Sequence, residues 1–121
     1  MTAPPVPTDL YGLATLSGLM QECMRNCLDC VAACRVCVEG CVADPAMEAC
    51  LRACLDCQAT CDACVSLMAF KSPIHAQMCG VCAEACERCA DACAEHDAAH
   101  CQACAEACRR CAETCRRMAE V

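Results

Sequence analysis

The feature that most constrains this chain is the spacing of its cysteines. From Cys23 the thiols recur at Cys27, Cys30, Cys34, Cys37 and Cys41, separated by four, three, four, three and four residues. That alternation places every thiol on one helix face, in the a and d positions of a heptad. Three further runs repeat it: Cys50, Cys54, Cys57, Cys61 and Cys64; Cys79, Cys82, Cys86, Cys89 and Cys93; and Cys101, Cys104, Cys108, Cys111 and Cys115. The four runs hold all 21 cysteines of the 121 residues. Helices that each carry such a face can satisfy all four only by turning them inward around one axis. A buried cysteine ordinarily acts as a small hydrophobe, which accounts for one or two of them and not for a whole seam on every helix.

Breaks between the runs set the connectivity. Helix 1 is expected to begin at Thr8 or Asp9, with Leu13, Leu16 and Met20 leading into the register of Cys23. Gly40 and Asp44-Pro45 are expected to end it, with Asp44 as N-cap and Pro45 as first residue of helix 2. Phe70-Lys71-Ser72-Pro73 is the next break, with Ser72 as cap. Helix 3 is expected to carry His75, the third run and His96 in one register, and Asp97 to cap helix 4, which runs to about Glu120. Short connections make neighbours antiparallel. The expected fold is therefore all-α: an antiparallel up-down four-helix bundle with a cysteine-lined core, over residues 9–121. Residues 1–8, with prolines at 4, 5 and 7, read as a disordered lead-in.

Several function classes are excluded. A net charge of −7, one Tyr, one Phe and no Trp give neither the basic stripe nor the stacking platforms that nucleic acid requires. Arg109-Arg110 and Arg116-Arg117 alternate with Glu106, Glu113 and Glu120, the pattern of a solvated face. Uncharged runs such as 10–21 fall short of the roughly 20 apolar residues of a membrane span. The N-terminus lacks a basic segment, an apolar segment and a twin arginine, so a cytoplasmic location is expected. Cytosolic thiols are kept reduced, which favours metal binding over disulfides. Cβ atoms of helical neighbours also lie about 5–6 Å apart, against the 3.8 Å or so of a disulfide.

Thiolates, with thioether and imidazole at the ends, form a soft ligand set that suits Cu(I), zinc or iron–sulfur clusters. The spacings of iron–sulfur ligands are missing. Structural zinc prefers paired knuckles that converge on one ion, whereas these spacings continue without a boundary. Zinc with four terminal thiolates also leaves two negative charges per site, and uncompensated charge in a dry core is costly. One Cu(I) per thiolate is neutral, and a pair of sulfurs suffices for each ion.

On these seam cysteines the chain resembles the copper storage protein family, in its cytosolic branch, over about residues 9–120. The resemblance implies a four-helix bundle holding many Cu(I) ions through cysteine thiolates, commonly as a homotetramer. The exported branch carries a twin-arginine signal, which this sequence lacks. The expected function is a cytosolic store for Cu(I), without catalysis. A zinc or general soft-metal buffer is the second reading. A thiol redox enzyme stands behind both, because no nucleophile–base–orienter set is visible.

The antiparallel path assigns the two ends different tasks. Met20, Met68, His75 and Met118 gather at one end with Leu13, Leu16, Leu67, Phe70 and Ile74, which are expected to plug it. Cys41, Met47, His96, His100 and Cys101 gather at the other, the expected mouth. The candidate ligands are thus the 21 thiols, with His96, His100 and Met47 at the entrance. His96 falls on the helix 3 register three residues after Cys93, and His100 beside the helix 4 seam if Asp97 is the cap.

Overall fold

The computed structural model describes residues 15–120. Four helices run through it: α1 Gly18–Cys41, α2 Glu48–Ala69, α3 His75–Ala94 and α4 Ala99–Ala119. Each packs mainly on its two neighbours, in the closed order α1–α2–α3–α4–α1. Thiol contacts fix the direction: Cys23 at the start of α1 meets Cys115 at the end of α4, and Cys37 near the end of α1 meets Cys50 at the start of α2. This is the up-down antiparallel bundle, and every seam cysteine faces its axis.

Small residues let the helices close on so short a side chain as cysteine. Ala83 and Ala90 on α3 and Ala105, Ala107 and Ala112 on α4 are buried between helices, while Ala85 and Ala92 are half-buried and Ala94 is exposed. The charged residues stay outside. Arg110 pairs with Glu106 and Arg117 with Glu113 along α4, and Arg116 reaches across to Glu87 on α3 with both carboxylate oxygens engaged at 3.0 and 2.6 Å. The solvated face expected from the interleaved charges is therefore present.

The helix ends depart from expectation at five places. The proposed start at Thr8 or Asp9 and the residue Leu13 lie outside the described residues, as does the proline-rich lead-in. Ser17, however, is extended at φ −61°, ψ 159°, and its hydroxyl accepts from Met20 N. An extended cap cannot sit inside a helix, so α1 begins at Gly18. Gly40 does not end α1, which continues to Cys41 with Val42 as its C-cap. Asp44 does cap, its carboxylate accepting from Ala46 N, but the turn it opens is a short 3₁₀ segment, Pro45–Met47, before α2. Asp97 does not cap α4. Ala98 holds the N-cap place without a side-chain bond, and Gln102 Nε2 instead ties the first turn back to the His96 carbonyl at 2.6 Å.

The α2–α3 connection falls where the sequence puts it, except that Ser72 does not cap α3: Ile74 is the N-cap residue, without a side-chain bond. Lys71 takes φ 53°, Lys71 N bonds to the Met68 carbonyl and Ser72 N to that of Leu67. That is the Schellman way of finishing a helix, with lysine in the left-handed place usually given to glycine. Ser72 Oγ then accepts from Ile74 N, and α3 starts at His75.

Candidate metal centre

All 21 cysteines are free thiols and all are buried. Heptad spacing, antiparallel pairing and small neighbours together bring sulfurs from different helices into contact. Near the α1 start, Cys23 and Cys115 Sγ lie 3.6 Å apart, and beside them Cys64 and Cys79 lie 4.0 Å apart. The next level joins Cys111 to Cys27 at 3.6 Å and to Cys61 at 3.7 Å, with Cys61 to Cys82 at 3.6 Å. At mid-length Cys57 lies 3.4 Å from both Cys30 and Cys86, and Cys108 lies 3.6 Å from Cys30. Cys104 then meets Cys34 and Cys54 at 3.7 Å each, and Cys89 meets Cys54 at 3.6 Å. Finally Cys50 meets Cys93 at 2.8 Å and Cys37 at 3.7 Å, and Cys37 meets Cys41 at 3.8 Å.

Vertical steps link these levels: Cys27 to Cys115 and Cys61 to Cys86 at 3.9 Å, Cys104 to Cys108 at 3.9 Å, and Cys89 to Cys93 at 3.9 Å. From Cys23 to Cys37 the sulfurs thus form an unbroken ladder. Several groups of four have all their sulfurs within 4.8 Å of one another, among them Cys27/Cys61/Cys82/Cys111, Cys30/Cys61/Cys86/Cys111, Cys30/Cys34/Cys57/Cys108 and Cys34/Cys89/Cys104/Cys108. These groups overlap: Cys30, Cys34, Cys61, Cys108 and Cys111 each belong to two of them. A sulfur shared between two groups serves two ions only by bridging them.

Burial shapes the thiol protons. It pushes Cys37, Cys41 and Cys101 up, Cys101 to about 11. Deeper in, S–H donation from Cys108 above all brings Cys57 down to about 7, while Cys108 is raised, Cys104 first among the sulfurs bonded to it. An apolar setting favours the neutral thiol, so metal entering here displaces protons.

The two ends differ as the sequence leads one to expect, but with different residues. Leu16, Met68 and Met118 are buried at the α1 start end of the thiols, Met68 completely, and Met24 is buried in the same core. Phe70 is 76% exposed and Ile74 52%, so neither plugs that end: the tight turn through Lys71 carries them outward. Leu67 and Met20 are half-buried. His75 opens α3 there, with a buried Nδ1 that bonds to nothing among the described residues.

At the other end stands a further four-thiol group, Cys37/Cys41/Cys50/Cys101. His100 joins it, its Nδ1 lying 3.4 Å from Cys37 Sγ and 3.5 Å from Cys101 Sγ. Beside Cys41 lies an open depression of about 290 Å³, bounded by Asp44, Pro45, Glu48 and Leu51. His96 is not on the α3 register, because α3 stops at Ala94 and the histidine sits in the connection, half-buried. Its carbonyl is engaged by Gln102, and no hydrogen bond joins its ring to a thiol among the described residues. Met47, in the 3₁₀ turn, is half-buried against the core. Thus His100, foreseen beside the seam, contacts two thiols, while His96, foreseen on the α3 register, lies in the connection because α3 stops at Ala94.

One residue of this end was not singled out for its true place. A Cβ added to Gly40 would lie 2.5 Å from His100 Nε2, so the bare α1 backbone makes room for the ring. The only sequence signal is a glycine immediately before the last thiol of a helix.

Comparison with known proteins bears on this arrangement. The sequence pattern of the copper storage protein family matches residues 17–120. Among solved structures, the apo form of a copper storage protein from Bacillus subtilis shares 40% identity at a TM-score of 0.78, over 82% of this chain and 97% of its own. A cytosolic copper storage protein from Streptomyces lividans, solved during copper loading with five coppers, shares 30% identity at a TM-score of 0.80, over 85% and 93%. The Streptomyces lividans protein loaded with 10 copper equivalents gives 31% and 0.80, over 94% and 92%. A search of curated proteins finds no match.

Proposed function

This chain belongs to the copper storage protein family, and on that premise we propose that it stores many Cu(I) ions in its bundle core, in the cytoplasm, without catalysis. The observation that carries the proposal is the unbroken sulfur ladder with shared members. Overlapping four-sulfur groups suit an ion that accepts two or three bridging thiolates and leaves the core near neutrality. They suit zinc less, since a Zn²⁺ held by four terminal thiolates retains two negative charges in a dry core.

In this reading every seam cysteine, from Cys23 to Cys115, is a copper ligand. His100 receives the ion at the mouth and passes it to Cys37 and Cys101, with Met47 and His96 as outer contacts. Imidazole binds Cu(I) more weakly than thiolate, so an ion caught there moves inward. Each thiol engaged gives up its proton to solvent. Among the described residues no helix is long and apolar enough to cross a membrane, which agrees with action away from the bilayer. The similarity to a protein described as cytosolic supports the location, and assembly as a homotetramer is part of the same proposal.

Titration of reduced protein with Cu(I) against a competing chelator tests the reading. Uptake close to one ion per cysteine supports it. Saturation at four or five metals, or tighter retention of Zn²⁺ than of Cu(I), points to discrete zinc sites and a general soft-metal buffer.

A further inference from the structure

We infer that Gly40 is a positioning residue for copper entry: its missing side chain is the socket that holds the His100 ring against the thiols of the mouth. The inference rests on the reading in which His100 receives the ion. Gly40 lies inside α1 and has an ordinary helical backbone, so no special dihedral calls for glycine there. Glycine in such a place weakens a helix through its backbone entropy. What the position does require is space. A Cβ would stand 2.5 Å from His100 Nε2 and 2.7 Å from both Cδ2 and Cε1, closer than side chains approach.

Those three atoms are the outer edge of the imidazole. Its inner corner, Nδ1, faces Cys37 Sγ at 3.4 Å and Cys101 Sγ at 3.5 Å. The ring is therefore held between α1 backbone on one side and two sulfurs on the other. With Nε2 against Gly40, Nδ1 is the nitrogen offered inward. Any side chain at position 40 lifts the ring away from the sulfurs, and because His100 is half-buried at the start of α4 it can swing toward solvent. The store itself is untouched, since every thiol keeps its place on the seams.

Stopped-flow loading from the Cu(I)–bicinchoninate complex tests this on the full reduced chain, comparing Gly40→Ala, His100→Ala and the double variant. Gly40→Ala is expected to slow loading about as much as His100→Ala, by roughly tenfold or more, since misplacing a group by 1 Å is costly in rate. Final capacity stays that of the parent, and the melting temperature does not fall, because alanine is the better helix former. In the His100→Ala background Gly40→Ala adds nothing. Long-range ¹H–¹⁵N spectra show the His100 ring nitrogens changed in apo Gly40→Ala. If Gly40→Ala loads at the parental rate while His100→Ala is slow, the inference fails and His100 still receives copper. An equal slowing by Gly40→Ala with and without His100 also overturns it, since the glycine then acts through the helix. If His100→Ala itself loads at the parental rate, the reading of the mouth falls, and the role of Gly40 with it.

Discussion

At one end of the bundle Leu16, Met68 and Met118 are buried with the last thiols; at the other the last thiols meet a half-buried imidazole and an open depression rimmed by Asp44 and Glu48. The same seam runs into both, so the difference comes from a few residues just beyond the cysteines. Where long apolar side chains continue the seam, Met68 and Met118 are buried at its end. Where the seam gives way to histidine, glycine and a short turn, the thiols are still buried, but an imidazole nitrogen lies against two of them. On the proposed reading, retention and exchange reside at opposite poles of one core.

The largest expected effect breaks the sealed pole. Met68→Ala removes a completely buried side chain and is expected to cost about 2–5 kcal/mol of apo-protein stability, read by urea unfolding. Copper loading at neutral pH stays near the parental rate, because the mouth is unchanged. Faster loading in this variant means that the methionines were a gate and not only a seal.

The mouth can be probed by pH without mutation. Cys37, Cys41 and Cys101 hold their protons above the ordinary thiol value of 9.0 in the folded state, Cys101 to about 11. A raised folded value means that the unfolded chain loses its protons first. The stability from these groups is therefore complete below pH 9 and is lost as pH rises toward 11 and beyond. Circular dichroism of the apo-protein is expected to show urea midpoints falling above pH 9. The copper-loaded form lacks this dependence, since its thiols have already given up their protons. A flat apo profile contradicts burial as the dominant influence at this pole.

His100→Ala acts on rate alone. Loading is expected to slow about tenfold, equivalent to ~1.4 kcal/mol of barrier, with final copper content and unfolding midpoint near those of the parent. Ser17→Ala is the smallest change and serves the sealed pole: loss of the hydroxyl bond to Met20 N costs about 1 kcal/mol. Its loading kinetics remain parental. A rate change there would mean that fraying of the α1 start reaches the ladder.

The seams were legible because their information is periodic. Alternating steps of three and four cannot be met by any strand or loop, and once Asp44-Pro45 and Ser72-Pro73 break the chain, only an inward-facing bundle remains. The ends were less legible because single residues decide them. Asp97 is a better cap than Ala98 by propensity, yet Gln102 reaching back to the His96 carbonyl fixes the first turn of α4 from the other side. Phe70 and Ile74 read as plugs by hydrophobicity, but a left-handed Lys71 turns the connection and leaves both in solvent. Gly40 was legible only as a helix breaker, since its real neighbour lies sixty residues away in the chain.

A ladder that opens at one end only, as proposed above, also keeps a record of time. Each sulfur from Cys23 to Cys37 lies within 4.0 Å of another, so an ion can grasp the next rung before releasing the last and never crosses the core bare. If copper leaves only at the His100 pole, as proposed above, ions lodged beside Cys23 and Cys115 follow those above them out, and the core acts as a stack, last in and first out.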